Sequence, residues 1–138
     1  KVGGIAGEIN NSTVENCYTL GSVTGNNNVG GFVGWVTASR VRNCFANTTV
    51  KGNAGNCGGF VGIVDQKTKN TLTKIENNIS FGNVSNGYKF DGRSANKISI
   101  MTKEQKSRKD FYTNILNWNS DIWDFSNITN GELPQLKK

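Results

Sequence analysis

Gly30-Gly31-Phe32-Val33-Gly34 decides the fold, because the same pattern stands at Gly3-Gly4-Ile5-Ala6-Gly7 and again at Gly58-Gly59-Phe60-Val61-Gly62. The two steps are 27 and 28 residues long. A fixed period in this range marks a solenoid, in which each unit buries its apolar face only against its neighbours. Outward from the glycines, Val14-Glu15-Asn16-Cys17-Tyr18 aligns with Val41-Arg42-Asn43-Cys44-Phe45 and with Ile75-Glu76-Asn77-Asn78-Ile79, at offsets of 27 and 34. Val23, Val50 and Val84 keep these offsets. The longer third step places an insertion in the polar run Asp65-Gln66-Lys67-Thr68-Lys69-Asn70.

Each unit offers three extended segments. In the first, Ile5/Phe32/Phe60 and Ile9/Val36/Val64 recur at strand period two and are expected to face the core. Gly7/Gly34/Gly62 lies between them on the same face, leaving room for a bulky neighbour, while Glu8, Trp35 and Ile63 face solvent. The second segment begins at Val14/Val41/Ile75 and the third centres on Val23/Val50/Val84. Three segments joined by turns describe an all-β, three-coil parallel β-helix over residues 1–92. In-register stacking would set Arg42 between Glu15 and Glu76, and would line up Asn16, Asn43 and Asn77 as an amide ladder at a bend. Whether Cys17/Cys44 or Tyr18/Phe45 points inward stays open, since a bend at the asparagine resets the alternation.

Exposed solenoid ends need caps, and residues 93–138 read as one. Thr102-Lys103-Glu104-Gln105 has the form of a capping box, predicting a short helix to about Leu116 with Phe111, Tyr112, Ile115 and Leu116 inward. A strand at 122–126, a turn near Asn130-Gly131 and an extended Leu133–Leu136 predict a closing hairpin. Trp118, Trp123 and Phe125 are expected to pack this cap, with a sugar-binding platform as the alternative.

The 138 residues carry 17 Gly and only one Pro, a balance that suits strands and tight turns. No run approaches the roughly 18 apolar residues of a membrane span, so a soluble chain is expected. The repeat is already running at Lys1-Val2, without initiator Met or signal peptide, which reads as a segment of a longer protein. The net charge of +6 gathers near Lys67, Lys69 and Lys74 and along Lys97–Lys109. Without aromatic interleaving or a binding module, these lysines read as solvated loops and a helix face, not a nucleic-acid surface. Cys17, Cys44 and Cys57 are too few for a disulfide scaffold and read as free, mostly buried thiols in apolar columns.

Catalysis finds little support. The chain contains no histidine, which removes a Ser–His–Asp set and any histidine base. A glycosidase needs two carboxylates roughly 5–10 Å apart across a groove. Glu15 and Glu76 are separated by the unit bearing Arg42, Glu8 has no acidic equivalent, and Asp121 and Asp124 suit a tight turn. No catalytic residues, metal ligands or cofactor are assigned to this segment.

The motifs GGIAG, GGFVG and GGFVG, with VENCYTLGSV, VRNCFANTTV and IENNISFGNV, resemble the GLUG repeat, a glycine-rich motif of bacterial surface proteins. The ending WDFSNITNGELPQLKK is similar to the segment closing such arrays in streptococcal surface proteins. The combination resembles the non-catalytic region of immunoglobulin A protease-type zinc metallopeptidases. The third unit departs from the pattern at Asn78 and by its insertion. This resemblance implies a secreted or cell-wall-attached Gram-positive protein whose zinc is bound elsewhere, by a His-Glu-x-x-His helix absent here.

An accessory module of such a protease is therefore expected, monomeric, contacting other domains of the parent and the immunoglobulin substrate, with no nucleic-acid or membrane partner. The candidate contact residues are Trp35 with Arg40, and the inserted loop carrying Lys67, Lys69 and Lys74. The alternatives are an adhesin segment binding host protein or carbohydrate, or a passive stalk.

Overall fold

The computed structural model describes residues 1–53, 55–65, 73–85 and 103–138. The first unit contributes β1 (Val2–Gly3), β2 (Ala6–Asn10), β3 (Thr13–Glu15) and β4 (Tyr18–Gly25). The second contributes β5 (Val29–Gly30), β6 (Val33–Thr37), β7 (Arg40–Arg42) and β8 (Phe45–Gly52). The third contributes β9 (Cys57–Gly58), β10 (Val61–Asp65), β11 (Lys74–Glu76), β12 (Ile79–Ser80) and β13 (Val84–Ser85). Equivalent strands pair in parallel across the units, giving sheets ordered β1-β5-β9, β2-β6-β10 and β3-β7-β11, with β8 between β4 and the β12/β13 pair. Val14↔Val41↔Ile75 and Val23↔Val50↔Val84 are in register, as the repeat predicts. This stacking is consistent with a β-solenoid.

A unit holds four strand positions, not three, because the chain turns at the paired glycines and divides the first segment. That turn brings backbones together. A Cβ on Gly31 would stand 2.0 Å from Gly59 O and 2.1 Å from Thr48 Oγ1, and one on Gly30 would stand 1.9 Å from Val33 O. The third glycine also faces backbone rather than the bulky side chain expected: a Cβ on Gly34 would meet Asn28 O at 2.6 Å and Gly7 O at 2.7 Å.

The interior holds two apolar clusters. Ile9, Phe32, Val33, Val36, Val41, Cys44, Ala46, Phe60 and Val61 form one buried cluster, and Val23, Val29, Val50 and Cys57 another. Phe32 and Phe60 stack at 4.6 Å and 5°, worth about 0.5–1.5 kcal/mol beyond the area buried. Ile5 heads the same column but is 46% exposed, contrary to its core assignment, since it covers one side of the column and no described residue covers its other side. Ile63 corrects the reading in the opposite sense: it shares the Glu8/Trp35 column yet is buried.

The structure resolves the open choice at the asparagine bend by burying both candidates on different faces. Cys44 joins the interior, whereas Phe45 turns outward into a second cluster with Ile79, Phe111, Tyr112, Leu116, Trp118, Trp123, Phe125 and Ile128. Along β8 the buried residues Ala46, Thr48 and Val50 then alternate with exposed Asn47, Thr49 and Lys51. Asn78, in the cysteine column, is buried and tied back to the unit before it. Its Oδ1 accepts from Cys44 N–H at 3.0 Å and its Nδ2 donates to Val41 O at 2.8 Å.

The C-terminal residues differ from the expected end cap. They cover the column Tyr18/Phe45/Ile79, which runs through all three units, so they lie along the flank of the stack. Phe45 touches Trp118, Trp123 and Phe81, Tyr18 touches Trp123, and Trp118 Nε1 donates to Asn77 O at 2.8 Å. The predicted helix is broken. Helix α1 spans only Lys103–Lys106, and Phe111–Ile115 forms a π turn, with Leu116 N–H donating to Phe111 O at 3.1 Å. The wider turn keeps Phe111, Tyr112 and Leu116 inward and turns Ile115 out, 63% exposed, correcting its inward assignment. Thr102 of the expected capping box lies outside the described residues. The hairpin forms as predicted: β14 (Trp123–Asp124) pairs antiparallel with β15 (Gln135–Leu136), and Gly131 at φ 87° ends the intervening 3-10 turn. No helix among the described residues is long and apolar enough to cross a membrane.

Candidate functional site

The corner between the second and third strand positions needs only two residues in the first two units: Asn11-Ser12 between β2 and β3, and Ala38-Ser39 between β6 and β7. Asn11 and Ala38 take the left-handed conformation, at φ 47° and 48°. The following serine closes the corner on the backbone: Ser12 Oγ donates to Asn10 O at 2.8 Å and Ser39 Oγ to Thr37 O at 2.7 Å. In the third unit residues 66–73 replace that pair, yet Thr73 Oγ1 donates to Asp65 O at 2.8 Å. Asp65 is the register partner of Thr37, so the insertion leaves and rejoins a corner whose closing bond survives.

Immediately after this corner, Thr13, Arg40 and Lys74 stand side by side on β3, β7 and β11. With Asn11, Ser12, Ala38 and Ser39 they line an open cleft of about 330 Å³. The structure thus brings together two of the sequence-predicted contact residues, Arg40 and Lys74, both half-buried. Lys67 and Lys69 lie outside the described residues. Trp35 sits on the neighbouring sheet, half-buried in the Glu8/Trp35/Ile63 column. Lys1 Nζ lies 4.3 Å from its ring centroid and 2.7 Å from Glu8 Oε2. Trp35 and Arg40, named together as candidate contact residues, stand on adjacent sheets, on β6 and β7.

The charged column also rearranges. Arg42 Nε pairs with Glu15 Oε2 at 2.5 Å, but Glu76 turns to Arg40, at 3.7 Å from Nε. Arg42 therefore does not bridge two carboxylates. These partners are each about two-fifths exposed, so each pair contributes at most about 1 kcal/mol. Lys74 pairs with no carboxylate among the described residues.

Asn16, Asn43 and Asn77 sit at φ 55°, 55° and 56°, the left-handed bend predicted for them. Their amide ladder is absent: Asn16 Oδ1 and Asn43 Oδ1 are buried without a hydrogen bond. The amide steps occur at another corner, where Asn53 Nδ2 donates to Asn26 Oδ1 at 2.9 Å and Asn56 Nδ2 to Asn28 Oδ1 at 3.2 Å. The asparagine-rich runs beginning at Asn26 and Asn53 carried that signal in the sequence.

Cys17, Cys44 and Cys57 are free. Burial raises the Cys17 thiol above its ordinary range and pushes Cys44 up to about 12, leaving both protonated and poorly nucleophilic near neutrality. Near pH 8, iodoacetamide is expected to modify half-buried Cys17 first, and Cys44 and Cys57 only on unfolding, as peptide mass mapping would read. The unfolded Cys44 thiol titrates at about 8.5, below its folded value. Its stability contribution is therefore complete below that pH and is lost as pH rises toward about 12.

Trp118 and Trp123 are buried among other aromatics, so neither offers a sugar-stacking face. Asp121 and Asp124 line a second cleft with Lys109 and Lys137, and Asp124 Oδ1 accepts from Ser126 N–H at 2.9 Å as its tight turn predicts. Among the described residues no three His, Cys, Asp or Glu side chains cluster to hold a metal. No curated protein and no solved structure shows significant similarity to the chain. The family model of the GLUG motif matches residues 25–51, the stretch from Gly25 at the end of β4 to Lys51 near the end of β8. The chain is thus a mostly β module of stacked parallel sheets that carries a GLUG motif.

Proposed function

We propose that this chain is the non-catalytic β-solenoid module of a secreted, cell-wall-attached zinc metalloendopeptidase of the immunoglobulin A protease type. In this reading residues 1–92 form the repeats and 93–138 a C-terminal segment whose described part, 103–138, covers their flank. The module positions the parent's zinc-bearing catalytic domain or contacts its glycoprotein substrate. The observation that carries a scaffold role is the register: the repeat columns are spent on stacking, while two cationic side chains, Arg40 and Lys74, stand side by side at one corner. The GLUG motif supports a surface-protein setting. The protease parent and the extracellular location rest on the resemblance of the repeats and of the closing segment.

The test compares cleavage by full-length and module-deleted protease. A fall on deletion, restored by adding the module in trans, supports the reading; equal rates for both enzymes count against it. The polar-lined corner cleft also favours a second reading, a solenoid adhesin that binds its ligand directly. Binding by the isolated module that is lost in Trp35→Ala would favour the adhesin.

A further inference from the structure

We infer that the corner cleft between the second and third strand positions of the units binds an acidic polysaccharide. This rests on reading that corner as the module's contact face, and it assigns the ligand's chemistry. Arg40 and Lys74 are register partners on adjacent parallel strands, which places two cationic side chains about 4.8 Å apart at the backbone. Among the described residues the Arg40 side chain meets only Glu76, at 3.7 Å from Nε, and its outer nitrogens bond to none of them. Lys74 has no carboxylate partner among the described residues. The remaining lining of Asn11, Ser12, Thr13, Ala38 and Ser39 includes no carboxylate and no aromatic ring.

Two cations beside amide and hydroxyl groups match a saccharide that bears carboxylate or sulfate among its own hydroxyls. A peptide ligand would be expected to seat an aromatic or aliphatic anchor, and the only apolar side chain in this lining is the methyl of Ala38. The first unit has Thr13 at the same position, so the cationic character belongs to the second and third units alone.

The experiment is affinity electrophoresis of the whole chain in gels carrying heparin, polygalacturonate or neutral dextran, with poly-glutamate as an acidic peptide. Retardation by heparin, polygalacturonate or both, with none by dextran, is expected, and the responding polymer tells sulfate from carboxylate. Arg40→Gln/Lys74→Gln should weaken that binding at least about tenfold. The charge-matched control Lys51→Gln/Lys138→Gln, at exposed residues elsewhere, should change it less than about twofold. Thermal melts of both variants should match the parent, because exposed ion pairs contribute little.

Equal losses in the two variants would reduce the effect to net charge and overturn the inference. So would binding to poly-glutamate as tight as to the glycans, or no binding to either acidic glycan. A protease indifferent to deletion of the module, beside an isolated module that still discriminates acidic from neutral glycan, would remove the protease reading and leave the cleft assignment standing.

Discussion

Gly31→Val is expected to destabilise the chain by on the order of 4 kcal/mol, while Gly21→Ala costs about 1–2 kcal/mol. The two glycines do different things. Gly31 sits where one unit lies against the next, and a Cβ there would stand 2.0 Å from Gly59 O and 2.1 Å from Thr48 Oγ1. Gly59 is the equivalent glycine of the following unit, so relief requires the two units to separate. Separation would break the parallel ladder on both sides and open the Phe32–Phe60 stack beside it. Gly21 has φ 106° but nothing within 4 Å of its added Cβ, so its substitution carries backbone strain alone. Thermal melts followed by far-UV circular dichroism separate the cases, since 1 kcal/mol corresponds to roughly 2–8 °C in domains of this size range. Equal small shifts for both would show that the units do not approach as closely as described.

Phe45→Ala is the second large effect, about 3–5 kcal/mol for emptying a buried aromatic site. Phe45 belongs to the repeat but spends its side chain on the C-terminal residues. It is 1% exposed, stacked on Tyr18 at 5.0 Å, and within 6.3 Å of the Trp118 and Trp123 rings. Removing it should loosen residues 103–138 before the repeats. The expected signature is a red-shifted tryptophan emission and early proteolysis within 103–138, with the strand signal largely kept. Loss of both signals in one transition would instead show that stack and flank fold as one unit.

Much of this architecture was readable as columns, because a solenoid uses each position in every turn for the same job. Val14, Val41 and Ile75 needed only equal spacing to be placed on one another. What stayed hidden were features that depend on direction or on partners distant in sequence. Tyr18 and Phe45 follow an asparagine in the left-handed conformation, which resets the alternation, so periodicity could not say that they face outward. Their covering by Trp118 and Trp123 links residues 73 to 105 positions apart without any repeat to announce it. The helix breaks at 107–108, and beyond it Phe111, Tyr112 and Leu116 must all reach the Phe45 flank, which the π turn achieves at Ile115's expense. The asparagine ladder was misplaced: Asn16, Asn43 and Asn28 all take the left-handed conformation, yet the side-chain amide steps form at Asn26/Asn53 and Asn28/Asn56, so the bend alone does not select the ladder.

Within the candidate site, the offset of 34 that aligns Ile75 with Val41 also sets Lys74 beside Arg40, and the structure keeps that pairing. The insertion lengthens the spacing before Lys74, yet the strand rejoins in register and the corner bond from Thr73 to Asp65 repeats those of Ser12 and Ser39. Ser12 and Ser39 carried that corner in the sequence, as a hydroxyl two residues after the first strand's end.

Methyl–methyl nuclear Overhauser effects among Val14, Val41 and Ile75 test the stacking most directly. Cross-peaks linking Val14 with Val41, and Val41 with Ile75, are the expected result for parallel units in register. Val41 methyls that instead contact residues outside this column, with neither cross-peak present, would contradict it.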